Sequence, residues 1–152
     1  MKKIIAVLLS ALIAFSLCIP SFAAQKGTSY YVDDVNGNDD NDGTSPETAW
    51  KTMARASDNE YAPGDSLLLK RGQTFGGNFL PKGSGTKASP VVLSAYGEGD
   101  SPVIRAQSGE YLFVLVDVSH WVIENIEFTS EGCGALIHSF GEEGIDDITV
   151  RN

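Results

Sequence analysis

Short apolar runs recur along the second half of the chain, and three of them superpose without gaps when Val91, Phe113 and Ala135 are set in register. Six columns are apolar in every copy: Val91/Phe113/Ala135, Val92/Val114/Leu136, Leu93/Leu115/Ile137, Tyr96/Val118/Phe140, Ile104/Ile126/Ile148 and Ala106/Phe128/Val150. A period in the low twenties is the mark of a solenoid, whose repeats bury their apolar sides only by stacking on one another. In the second strand of each copy, apolar residues flank Arg105, Glu127 and Thr149. Period-two alternation then turns the apolar members inward and sets those three in an outward row. The first strand is apolar on both faces. Gly97, Ser119 and Gly141 share a column where a small residue suits a corner.

Leu67-Leu68-Leu69 precedes Val91-Val92-Leu93 by the same interval that separates Leu80 from Ile104, and that interval is slightly longer than the repeat that follows. This predicts an earlier, longer coil, turning at Gly76-Gly77 and Gly83-Ser84-Gly85. Strands recurring once per coil at constant register stack in parallel, so the predicted fold is all-β, a parallel β-helix. The consensus of a leucine-rich repeat is missing, and a propeller blade needs about 40 residues. Upstream, Tyr30-Tyr31-Val32 is a short β-type run, and residues 33–43 (DDVNGNDDNDG) are rich in turn formers. Ser45 is placed as an N-cap, with Pro46 at the first helical position and Glu47 in the first turn. Trp50, Met53, Ala54 and Ser57 then predict one amphipathic helix near 46–57, a plug for the open end of the core.

The first residues change the picture of where the protein acts. Lys2 and Lys3 precede the apolar stretch 4–19, and Ser21-Phe22-Ala23 is a small-x-small cleavage signal. Residues 1–23 read as a secretory signal peptide, 24–66 as a cap segment and 67–152 as the first coils, with no membrane anchorage after cleavage. The predicted product is extracellular. Loss of the two signal lysines takes the net charge from −9 to −11. Such a chain repels nucleic acids, and also acidic polysaccharides unless a divalent cation bridges the two. Cys133 is the only cysteine beyond the signal; a small buried apolar residue is the simpler reading, a reactive thiol the other.

At this point the residues resemble a known group. The run from Tyr30-Tyr31-Val32 through Asn36-Gly37-Asn38-Asp39 to Asp42-Gly43-Thr44-Ser45-Pro46-Glu47-Thr48-Ala49-Trp50-Lys51-Thr52 resembles the N-terminal cap of secreted bacterial right-handed parallel β-helix proteins. Pro63-Gly64-Asp65, Leu69-Lys70-Arg71-Gly72, Phe75, residues 81–86 and residues 90–97 resemble its first coils. The named group is the pectin lyase-like superfamily, in particular the family-nine pectate lyases. The resemblance implies a right-handed β-helix and, as first expectation, a calcium-dependent lyase that cleaves a pectin-like uronan by β-elimination. In such lyases a Lys or Arg takes the proton α to a uronate carboxylate, and aspartate-bound calcium acidifies it.

Few outward positions suit that chemistry. Arg105 is basic but reads as a solvated strand residue. Asp146 and Asp147, near Glu142 and Glu143 and predicted to stack under Glu124 and Asn125, could hold calcium or form a solvated acidic turn. Starting at Asn36, oxygen ligands fall at the first, third, fifth and seventh positions of a calcium loop (Asn36, Asn38, Asp40, Asp42), with Glu47 twelfth. Asn41 stands where that loop requires glycine, so a cap turn is the competing reading. His120 and His138 stand too far apart in sequence for any short metal spacing, occupy different columns of the repeat and read as structural. Trp121 and Tyr111 are candidates for stacking on sugars or for packing. Lys70-Arg71 reads as structural. The catalytic residues are expected on coils beyond Asn152, and the finished protein is expected to be monomeric. The competing functional readings are a glycoside hydrolase of the same fold and a non-catalytic, carbohydrate-binding β-helix.

Overall fold

A computed structural model describes residues 26–106, 111–130, 137–140 and 145–152. The stretch 1–23 read above as a signal peptide, Cys133, Ala135, Leu136, Gly141, Glu142 and Glu143 fall outside them. The described chain is β throughout, with one α-helix. In order come β1 (Ser29–Val32), a 3-10 turn (Pro46–Thr48), α1 (Met53–Asp58), β2 (Ser66–Lys70), β3 (Thr74–Gly76), β4 (Val91–Tyr96) and β5 (Val103–Ala106). They are followed by β6 (Phe113–Val116), β7 (Trp121–Glu124), β8 (Glu127–Ser130), β9 (Ile137–Phe140) and β10 (Ile148–Arg151).

The strands form three sheets, β1-β2-β4-β7-β10, β3-β5-β8 and β6-β9, and each strand pairing within them is parallel. After β2 and β3 the chain visits the sheets in one order twice, through β4-β5-β6 and β7-β8-β9, and β10 returns to the first sheet. The inward residues of all three sheets share one core. Leu67, Leu69, Leu93, Ile104, Phe113 and Trp121 are among its fully enclosed members. Burial of each such side chain contributes about 1.5–3 kcal/mol relative to exposure.

The register departs from the gapless superposition. Ile104 pairs with Phe128 instead of Ile126, and Phe113 pairs with Ile137 instead of Ala135. Val91 pairs with Trp121 instead of Phe113, and Trp121 in turn pairs with Ile148. In the first coil Leu67 pairs with Leu93, and Phe75 with Ile104. The superposition aligns strands of different sheets, since Val91 lies in the first and Phe113 in the third. Short buried strands look alike in sequence, and corners of unequal length then set the true spacing. Four consequences follow. Ile126 is buried between β7 and β8 rather than in a strand. Leu80 is 41% exposed, with Phe75 holding the column assigned to it. The predicted row of Arg105, Glu127 and Thr149 does not form: Arg105 lies beside Gly76 and Thr129, Glu127 beside Val103, and Thr149 beside Val122 in another sheet. The shared corner column breaks as well, because Gly97 follows β4 whereas Ser119 precedes β7.

The cap differs in build from the single predicted helix. Ser45 and Thr48 close a reciprocal capping box around the 3-10 turn, and the chain then extends through Ala49 and Trp50. Thr52 accepts from the Arg55 N–H and starts α1, which buries Met53 and Ala56 but leaves Ala54 exposed. The segment around Trp50 covers the free edge of β1: Trp50 N–H donates to Tyr31, Asp33 N–H donates to Trp50, and Val32 bridges Trp50 in parallel. An extended segment therefore protects that sheet edge, because only it can pair with the strand's open backbone groups.

Candidate functional site

The acidic loop after β1 is built from its own carboxylates. Asp33 Oδ1 accepts from the N–H groups of Val35 and Asn36 and from Gln73 Nε2. Burial pushes this carboxyl up, but those hydrogen bonds outweigh it and hold it below the usual aspartate value. Asp39 Oδ1 accepts from Lys51 N–H at 2.8 Å and Thr52 N–H at 2.9 Å, and its Oδ2 accepts from the Thr52 hydroxyl at 2.8 Å. Burial again raises its carboxyl; the Thr52 and Lys51 hydrogen bonds and the Arg55 charge lower it further than burial raises it. Asp42 Oδ1 takes Thr44 N–H and the Thr48 hydroxyl.

The calcium-loop candidates lie in the same loop. Asn36, Asn38 and Asp40 are exposed; Asn38 Oδ1 accepts from Asp40 N–H, and Asn36 Nδ2 donates to Asp33. They join a turn network in which Asp33, Asp39 and Asp42 bind backbone and hydroxyl donors. Asp146 and Asp147 are also exposed, and they stack under Ser119 and His120 instead of Glu124 and Asn125. Asp146 N–H donates to Ser119 Oγ, and Asp147 Oδ2 lies 3.3 Å from His120 Nδ1. Glu124 is engaged by Arg151 at 2.9 Å. Among the described residues, no three His, Cys, Asp or Glu side chains gather as a metal site would require.

Trp121 is fully buried and donates its Nε1–H to Gly83, which removes it as a sugar-stacking surface. Tyr111 is 41% exposed. The aromatic cluster that reaches the surface is elsewhere. Tyr31 on β1 and Tyr96 on β4 meet edge to face at 5.0 Å, and the Lys70 ammonium sits 4.9 Å from the centre of the Tyr96 ring. The sequence sets Tyr96 in a repeating apolar column and reads Lys70 as structural, but Tyr96 is only half-buried, and its meeting with Tyr31 and Lys70 is not legible there because the three come from strands of unknown register. The available signal was alternation: Tyr31 immediately precedes the inward Val32.

No protein-family model matches the chain. The chain is 32% identical over 133 residues to the lacto-N-biosidase of Bifidobacterium longum subsp. longum, covering 69% of this chain and 8% of that protein. It is 39% identical over 64 residues to alpha-1,3-galactosidase A of Akkermansia muciniphila, covering 42% of this chain and 11% of the relative. Two crystal structures of the GH136 lacto-N-biosidase from Eubacterium ramulus share its fold. The selenomethionine derivative aligns with TM-score 0.67 at 22% identity over 81% of this chain and 27% of that one. The native protein aligns with TM-score 0.60 at 25% identity over 70% and 21%. The chain thus spans about a tenth of the curated relatives and about a quarter of the solved chains.

These relatives are carbohydrate-active enzymes of the glycoside hydrolase class, and they correct the family reading. The resemblance to the pectin lyase-like superfamily and its family-nine pectate lyases does not hold. Turn-rich caps, small corner residues and short apolar strands are what stacked parallel strands demand of any sequence, so they recur without shared chemistry.

Proposed function

We propose that this chain forms the cap and first coils of an exported glycoside hydrolase acting on oligosaccharides of the lacto-N-biose or α-1,3-galactoside kind. The observation that carries the reading is that one kind of enzyme, lacto-N-biosidase, appears both in the sequence match and in the shared fold. Residues 1–23 would direct export, and 24–66 would close one end of the core. The three parallel sheets would be the faces of a β-helix, right-handed because crossovers between parallel strands adopt that hand almost without exception.

Hydrolysis of a glycosidic bond requires two carboxyl groups flanking it, one protonating the leaving oxygen and the other acting as nucleophile or as base toward water. On this reading that pair lies on coils beyond the matched stretch, as the greater length of the relatives supports. The acidic surface agrees with a neutral substrate, since it would repel a polyuronate.

The test is to assay the full-length secreted protein on p-nitrophenyl lacto-N-bioside, p-nitrophenyl α-galactoside and polygalacturonate. Release of p-nitrophenol from either glycoside is the expected outcome. Unsaturated product from polygalacturonate, with both glycosides untouched, would overturn the proposal.

A further inference from the structure

Asn36-Gly37 is the one asparagine–glycine pair in the sequence; Asn38, Asn41, Asn59, Asn78 and Asn125 precede Asp39, Asp42, Glu60, Phe79 and Ile126. Such a pair is chemically labile. Glycine has no side chain to hinder attack of its own nitrogen on the preceding side-chain amide. The cap explains why the pair stands here. A Cβ on Gly37 would meet the carbonyl oxygens of Trp50 and Asp33, so this point of the cap admits glycine alone.

The folded turn restrains both reacting groups. Gly37 N–H donates to the Asp33 carbonyl at 2.8 Å, which holds that nitrogen away from the Asn36 side chain. Asn36 N–H donates to Asp33 Oδ1 at 2.9 Å, and Asn36 Nδ2 donates to Asp33 Oδ2 at 3.4 Å. Gln73 Nε2 donates to the same carboxylate, and Gln73 Oε1 accepts from Asp34 N–H. Gln73 thereby ties the turn to the segment between β2 and β3. Asn36 itself is exposed, so water and base reach it as soon as these bonds release.

We propose that Asn36 is a deamidation site gated by the cap, preserved while the turn is closed and converted when it opens, after which the turn closes less well. The Gly37 nitrogen gives its proton to base and attacks Asn36 Cγ. The Cγ–Nδ2 bond breaks, and ammonia leaves with a proton from solvent. Water then opens the cyclic imide at either carbonyl, giving aspartate or isoaspartate, with nothing oxidised or reduced. Either product sets a carboxylate where Nδ2 donated to Asp33, so a hydrogen bond becomes a like-charge contact. Isoaspartate also adds a carbon to the main chain, which displaces Gly37 from its close approach to the Trp50 carbonyl. This inference does not depend on the glycosidase reading.

The test is peptide mapping by mass spectrometry of the full-length protein aged at mildly alkaline pH, in buffer and in urea above its unfolding midpoint. In urea Asn36 should react before the other asparagines, and in buffer it should react about tenfold or more slowly than in urea. Asp33→Ala, which removes the restraining carboxylate, should bring the rate in buffer toward the rate in urea. Asn36→Asp, which carries one of the two products, should unfold at lower urea than the parent. Equal rates for the parent in buffer and in urea, or another asparagine reacting first in urea, would overturn the gated site. An unchanged urea midpoint in Asn36→Asp would overturn the weakened closure. Should Asp33→Ala fail to fold, the parent's rates in buffer and in urea decide the question by themselves.

Discussion

Trp50 shows how much of the cap hangs on one side chain. It is 1% exposed, stacks on Tyr30 at 5.1 Å, lies under the Arg55 guanidinium at 4.4 Å and donates Nε1–H to Asn41. Trp50→Ala should cost about 3–5 kcal/mol, measured by urea unfolding. Gly43 lies against the same ring at φ +73, and an added Cβ would stand 2.3 Å from it. Gly43→Ala combines that clash with left-handed strain, so a loss of about 2 kcal/mol or more is expected in the same measurement. Asp39 couples this region to pH. Its carboxyl is lower in the folded protein than the ordinary value of 3.8. The stabilisation is therefore complete above that value and is lost as pH falls through the lower, native one. Urea midpoints should hold from neutral pH to about 5 and drop below about 4, with Asp33 adding in the same direction. Asp39→Ala should cost about 1–2 kcal/mol at neutral pH by unpairing Lys51 N–H, Thr52 N–H and the Thr52 hydroxyl, and should flatten the acid drop.

At the scale of elements, strand type was legible and strand partner was not. The alternation around Arg105 predicted β5, and the structure places Ile104 and Ala106 inside with Arg105 exposed. Its partner on β8 is Thr129 rather than the predicted Glu127, because the corners contribute unequal numbers of residues that carry no periodic signal. Cross-linking tests this directly. With Cys133 replaced by Ser, Arg105→Cys with Thr129→Cys should form a disulfide under mild oxidation, since paired parallel Cα atoms fall within disulfide reach. Arg105→Cys with Glu127→Cys, the pair demanded by the gapless register, should cross-link far less. Equal yields would contradict the observed register. The cap divides for a related reason: Ala49 and Trp50 have helical spacing to Met53, yet pairing with β1 draws them into an extended path between the 3-10 turn and α1.

On the scale of the whole molecule, a net charge of −9 acts against any polyanionic partner. Gel electrophoresis through immobilised polygalacturonate should therefore show no retardation at low salt without divalent cations, where screening is weakest. Retardation would restore an acidic glycan as ligand. The sequence alone determined that the chain is built from short β-strands, that they recur, and that a turn-rich segment precedes them. Each of these follows from local rules, namely side-chain alternation, turn chemistry and capping. The tertiary structure alone decided which strands are neighbours and that Asp33, Asp39 and Asp42 hold the cap together. It also placed Asp147 against His120, and brought Tyr31, Lys70 and Tyr96 onto one face. Those are contacts between residues far apart along the chain, set by corner lengths and core packing, and alternation within a strand carries no record of either.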